Sequence, residues 1–347
     1  MKKSIMTALL AVLAVSAQAD YLKKDAPLVT ANTYLGLAYA GDRAVAVGDR
    51  GRILYSDDQG DHWKAAQSPT GVLLTAVCFA DARHGWAVGH DAVILGTSDG
   101  GESWQLQYSD ALNANAGSDD DATDDAQDDY SMDDIYGDAD AAAPVDTSGA
   151  PLLDVHCESR DRAVAVGGYG YFVETTDGGA SWNKDLKRLD NRDGWHLYAY
   201  AGMADNSVRY IVGEKGVIFL SLDKGLTWKA LQSPYKGTLF GVTELSDYQA
   251  LAYGLQGNVW LTGNRGVSWT HVDSGLSRGI NDGTVLSDGT VVLVTNAGGI
   301  LTSHDGGQSL SLRFLPNRQS ISAVLPRKKG GVLIAGQGGV RVVKDIQ

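Results

Sequence analysis

One short pattern, Ser/Thr-x-Asp-x-Gly-x-x-Trp, recurs along the chain at a spacing that only a repeat architecture accommodates. It reads Ser56-x-Asp58-x-Gly60-x-x-Trp63, Thr97-x-Asp99-x-Gly101-x-x-Trp104, Thr175-x-Asp177-x-Gly179-x-x-Trp182 and Ser221-x-Asp223-x-Gly225-x-x-Trp228. A fifth copy has Asn264 for Asp and ends in Trp269, and a sixth, around Asp305, ends in Leu310. Their third positions lie 41, 78, 46, 41 and 41 residues apart. The long interval is one period plus an insertion. Within each copy the carboxylate can accept backbone N–H bonds, as in an Asx-turn. The Gly supplies a left-handed backbone position, and the Trp offers a large ring for burial. Such carboxylates at repeat spacing are expected to be structural.

Each copy is preceded by the same sequence grammar. A short apolar strand comes first, such as Leu73–Phe79 or Leu152–Cys157. A second follows, such as Ala44–Val47 or Ala163–Val166, and then a Gly-x-x-Gly turn such as Gly48–Gly51 or Gly213–Gly216. A third strand leads into the Asp turn, and the Trp opens a fourth. Four short strands with tight turns make an antiparallel blade. Radial stacking is what buries both faces of such a sheet. The fold class expected is therefore all-β, a seven-bladed β-propeller of four-stranded blades. The seventh unit stops at Gln347 after three strands. Tyr21–Lys24 stands at the right offset before Tyr34 to be the missing one. The N-terminal strand is expected to complete the last blade and close the ring.

Two stretches fall outside this grammar. Lys2 and Lys3, an apolar run from Ile5 to Val15, and Ala17-Gln18-Ala19 form the pattern of a secretory signal peptide over residues 1–19. Residues 20–347 are then one propeller domain, expected to be exported to a bacterial periplasm or out of the cell. No Cys follows the cleavage site, so contact with a membrane is expected to be peripheral at most. The second stretch, about 110–150, carries 13 Asp and no Lys, Arg or Glu, and its charge equals the chain's net −13. Dense like charge with few apolar residues reads as a disordered loop. The Asp/Asn/Gly spacing of an EF-hand loop is absent, so no metal and no cofactor are expected. A net acidic chain also argues against nucleic acid as a partner.

In a four-stranded blade, the turns between strands two and three share a face with the connections to the next blade. The acidic insertion is one of those connections. Asp49, Arg50, His90, Asp91, Tyr169, Glu214, Lys215, Gln256, Asn296 and Gln337 should ring that face, remote from the Asp turns. Loops on a rigid scaffold are the usual place for binding. This face is expected to bind a protein, with the acidic loop steering a basic segment. No catalytic residues are expected. The Phe/Tyr-Arg-Ile-Pro segment of sialidases is missing, and nothing in the spacing pairs Glu214 with Asp91 as glycosidase carboxylates. A sialidase, glycosidase or glycan-binding propeller is the alternative. Cys78 and Cys157 sit on inner strands of adjacent blades, one step out of phase. Packed sheets stand roughly 10 Å apart, whereas a disulfide needs Cα atoms within about 7 Å. Two buried thiols are expected, with a bridge left open.

The six Asp-box (BNR) copies, each preceded by an Ala-Val-x-x-Gly-x-x-Gly-x-Ile type of run, resemble the photosystem II stability/assembly factor family and its bacterial relatives. The resemblance covers nearly the whole mature chain except the acidic insertion. It implies a non-enzymatic propeller that helps assemble or stabilise a membrane protein complex from the lumenal or periplasmic side.

Overall fold

The computed structural model describes residues 22–23, 26–112, 149–203 and 206–346. The expected signal peptide and nearly all of the acidic insertion lie outside the described residues. Seven antiparallel sheets stand round a central axis. Their inner strands are Tyr34–Ala40, Leu74–Phe79, Leu152–Cys157, Leu197–Ala201, Leu239–Glu244, Ile280–Val285 and Ile321–Pro326. Each touches the inner strand of the next blade, and the last touches the first, so the ring is closed. The second strands, such as Ala163–Gly167 and Val291–Thr295, are buried throughout. That explains why they read as unbroken Ala/Val runs: both of their faces meet neighbouring sheets.

Every inner strand carries the same irregularity. The register slips by one residue between Tyr34 and Gly36, Leu152 and Asp154, Ile280 and Asp282, and at the four equivalent positions. An extra residue at this point re-aims side chains, and here it presents the second and third residues of the strand to the axis.

The first N–H of each strand 2–3 turn bonds to the carbonyl just ahead of its own inner strand. Asp49 N bonds Thr33 O at 3.0 Å, Glu214 N bonds His196 O at 2.8 Å, and Gln337 N bonds Ser320 O at 3.0 Å. These bonds tie the turns and the blade-to-blade connections to one face, called the upper face below. The closing Gly of the turn is required by both conformation and space. Gly51 has φ 66°, and a Cβ there would lie 2.0 Å from Thr70 O in the connection to blade two.

The ring closes differently from the sequence expectation. Leu22–Lys23 pair with Trp63 and His62 at the outer edge of blade one, and blade seven keeps three strands among the described residues. Two open edges flank that segment, and a two-residue strand carries too little pattern to fix its register. The connection after it reaches blade seven. A short helix, Pro27–Thr30, stands against the start of Gly339–Val343. Val29 is fully buried there, in a cluster with Trp63, Leu333 and Val340.

A second expectation also fails. Cys78 and Cys157 form a disulfide, with Cα atoms 5.7 Å apart. Near the axis the inner strands converge well below the spacing of packed sheets, so two residues aimed across one seam come within bonding range.

Candidate partner-binding face

The Asp boxes form the turns between strands three and four, on the rim opposite the upper face. In blade two the Thr97 hydroxyl donates to Asp99 Oδ1 (2.9 Å) and accepts from Gly101 N (3.1 Å). Asp99 in turn accepts from Glu102 N, Ser103 N and the Ser103 hydroxyl. The same network holds Asp58, Asp177, Asp223 and Asp305. Asn264 reproduces it, donating from Nδ2 to the Ser268 hydroxyl. Donors from Ser181 and Thr175 hold the Asp177 carboxyl down at about 2. Trp63, Trp104 and Trp228 donate Nε1 to the carbonyl of their own box Gly. Trp182 turns to Gln107 Oε1 across the seam to blade two, and Trp269 Nε1 has no partner among the described residues. All these carboxylates are engaged in holding turns. One stretch, Gly96-Thr97-Ser98-Asp99-Gly100, spells Gly-x-Ser-x-Gly, but it lies in the Asp-box turn with no helix after it. The letters do not make a nucleophile elbow.

The upper face carries the ten turn residues. Arg50, His90, Asp91, Tyr169, Lys215, Gln256, Asn296 and Gln337 are exposed, and Asp49 and Glu214 are half-buried. Arg50, Asp91, Tyr169, Lys215 and Gln256 occupy the same left-handed position, with φ between 54° and 58°. A non-Gly residue there stands away from the sheet, which suits display rather than packing.

The structure adds a feature that the sequence did not reveal. Tyr169 meets His196 edge-on at 4.9 Å, His196 lies 6.4 Å from Tyr198, and Tyr198 meets Phe240 at 5.3 Å. Lys215 Nζ lies 5.6 Å from the Trp195 ring. This aromatic track runs from the rim at blade three to the mouth of an axial cavity of about 460 Å³. Tyr198 and Phe240 line that cavity as second residues of their inner strands. No short motif joins them in sequence; only the repeat alignment could have done so.

Two acids stand in the cavity wall. Asp154 accepts from Val155 N and from Tyr200 N of the next blade, each at 2.8 Å. Asp282 accepts from Gly283 N and from Val324 N of the next blade, also at 2.8 Å. Burial pushes both carboxyls up to about 7, against these N–H donors. The aligned sequence held the signal: the third residue of the inner strand is Gly36, Ala76, Ala199, Gly241 or Ala323 in the other blades.

The two ends of the insertion meet at a polar foot on this face. Asp110 accepts from the Tyr171 hydroxyl at 2.5 Å and from Gly149 N at 3.2 Å, with Lys184 Nζ 3.6 Å away. Ala92 N bonds Ala150 O at 3.0 Å. Ala92 replaces the closing Gly of the other turns and keeps a positive φ of 52°.

A family model described as photosynthesis system II assembly factor YCF48 matches residues 59–118 and 141–324. The chain belongs to the YCF48 family. The gap in the match, 119–140, falls inside the acidic insertion. The photosystem II assembly lipoprotein Ycf48 of Synechococcus sp. (strain CC9902) is 25% identical over 171 residues, 49% of this chain and 50% of that one. The chain spans half the length or less of the curated relatives it matches. Among solved structures, YCF48 bound to D1 peptide superposes with a TM-score of 0.64 at 17% identity, covering 94% of this chain and 97% of that one. The GH74 xyloglucanase from Xanthomonas campestris reaches 0.65 at 13% identity, covering 95% and 54%. Those two likenesses are of fold alone. Among the described residues no helix is long and apolar enough to cross a membrane, and no cluster of three or more His, Cys, Asp or Glu could hold a metal ion.

Proposed function

We propose that this member of the YCF48 family is a non-enzymatic assembly scaffold whose upper face holds an extended segment of a membrane-complex subunit. The observation that carries the reading is the aromatic track from Tyr169 to Phe240, ending at the mouth of the axial cavity. A track of rings offers large contact area at low entropic cost. The Asp-rich insertion favours a segment with basic side chains. The relative whose printed title names a bound D1 peptide makes a subunit peptide the natural class of partner. An exported location is supported by the Cys78–Cys157 disulfide, which belongs to an oxidising compartment.

The glycosidase reading has less to stand on. Asp154 and Asp282 each have both oxygens taken by backbone N–H groups, so they couple blades rather than wait for a substrate. The test is capture of solubilised membrane complexes by the intact chain, by a Tyr169→Ala/His196→Ala variant, and by a chain lacking 113–148. That deletion spares the Asp110 foot. One complex should be recovered by the intact chain, with at least tenfold loss in the double variant. Equal recovery by all three would defeat the reading.

A further inference from the structure

Blade seven has an outer slot that the repeat itself describes. In the six other blades the strand-three residue opposite the third-from-last residue of strand two is apolar: Leu54, Leu95, Val173, Phe219, Trp260 and Leu301. In blade seven it is Arg341, opposite Ile334. Among the described residues its buried Nε and Nη2 have no hydrogen-bond partner, and Nη1 reaches Gln319 Oε1 at 3.4 Å. A buried, unpaired cationic donor is costly. Beside it lies a groove of about 270 Å³ walled by Leu315, Pro316, Ile334 and Val342. Among the described residues, no fourth strand covers the outer edge of Gly339–Val343.

The other blades say what belongs there. Leu54 pairs with Ala65, Leu95 with Leu106, Phe219 with Ala230 and Leu301 with Leu312. Two residues before each of these partners stands the box residue, Trp63, Trp104, Trp228 or Leu310. Trp104 packs in a cluster with Val45 of the preceding blade, and Trp269 with Val212 of its own preceding blade. A fourth strand on blade seven would therefore put one large ring towards blade six, and two residues later a side chain opposite Arg341. Directly opposed residues of a strand pair are in contact, so the complement to Arg341 is a carboxylate.

We propose that the outer edge of blade seven accepts an extended segment of a partner protein with the pattern aromatic-x-Asp/Glu, added as an antiparallel fourth strand. Main-chain bonds to an open edge supply affinity, and the alternate side chains supply selectivity. The ion pair is bidentate in kind, which Lys could not reproduce. This second docking place does not rest on the reading of the upper face.

The probe is a fluorescein-labelled, end-blocked peptide, Val-Trp-Thr-Glu-Val, titrated with the full chain and followed by anisotropy. Saturable binding is expected, weakened at least tenfold by Arg341→Leu, by Glu→Gln in the peptide, and by Trp→Ala in the peptide. Arg341→Leu installs the residue type of the other blades, so its melting temperature should hold or rise. Tyr169→Ala should leave the peptide affinity unchanged, which separates this site from the upper face. Hydrogen exchange over Val340–Val343 should slow when the peptide is bound. Absence of saturable binding, or equal binding by Arg341→Leu, overturns the proposal.

Discussion

Two seams of the ring face opposite problems. Between blades two and three the sequence carries an insertion of about forty residues, yet that seam is covalently fastened. Cys78 is bonded to Cys157 across it. Trp86 and Trp182 meet edge-on at 6.2 Å, and both indole N–H groups donate to Gln107 Oε1. Thr75 Oγ1 donates to Leu152 O at 2.7 Å. Between blades seven and one the two ends of the fold meet without a covalent link. There the Pro27–Thr30 helix, Trp63 and a set of polar reaches do the joining, among them Tyr39 to Pro326 O (2.9 Å), Arg327 to Gln59 O (3.0 Å), Lys329 N to Gln59 Oε1 (3.0 Å) and the ion pair of Lys328 with Asp42. The difference teaches that an insertion need not weaken a closed ring when its foot is pinned. Lengthening a loop costs little entropy, and the disulfide removes the freedom that the insertion would otherwise release.

The comparison can be broken first at the fastened seam. Replacing Cys78 and Cys157 with Ala should cost about 4.5 kcal/mol on the chain-entropy estimate for a loop of this length, read as a shift in the denaturation midpoint. A thiol assay on the unfolded, unreduced protein should find no free sulfhydryl. At the other seam, Trp63→Ala should cost about 4 kcal/mol, because a fully buried indole leaves a cavity. It should also speed hydrogen exchange in blades seven and one before the rest, whereas the Cys variant should loosen blades two and three. If both variants open the ring at one common place, the two seams are not independent.

Smaller effects sharpen the picture. Asp99→Ala removes several turn hydrogen bonds within one blade and should cost about 2 kcal/mol, leaving partner capture intact. A pH-dependent effect concerns the axial acids. Asp154 and Asp282 are pushed from the ordinary carboxylate range up to about 7 in the folded chain. A raised folded value means stability that is fully present below about pH 4 and lost as pH rises through about 7. Asp154→Asn/Asp282→Asn should flatten the decline between those limits, at a pH-independent cost of about 1 kcal/mol for each lost acceptor. Melting curves from pH 4 to pH 8 read both.

How much of this was written in the sequence differs between scaffold and site. The blades were legible because each Asp box fixes a turn and each Ala/Val run needs two covered faces. The placement of turns and insertion on one face followed from blade topology. What the sequence hid is long-range. The disulfide depends on how tightly inner strands converge at the axis, and no local pattern encodes that. Leu22–Lys23 pair with blade one because the choice between two open edges is made by neighbours, not by two residues. The track from Tyr169 through His196 to Phe240 draws on three blades, and its members look like ordinary turn and strand residues until the ring brings them together.

The most direct test of the scaffold reading is hydrogen exchange on the complex captured from solubilised membranes, compared with the free chain. The account predicts slower exchange at the turns Gly168–Gly170 and Glu214–Gly216 and along Trp195–Tyr198, with the Asp-box turns unchanged. Protection confined to the Asp-box rim, with the upper face exchanging as in the free chain, would contradict it.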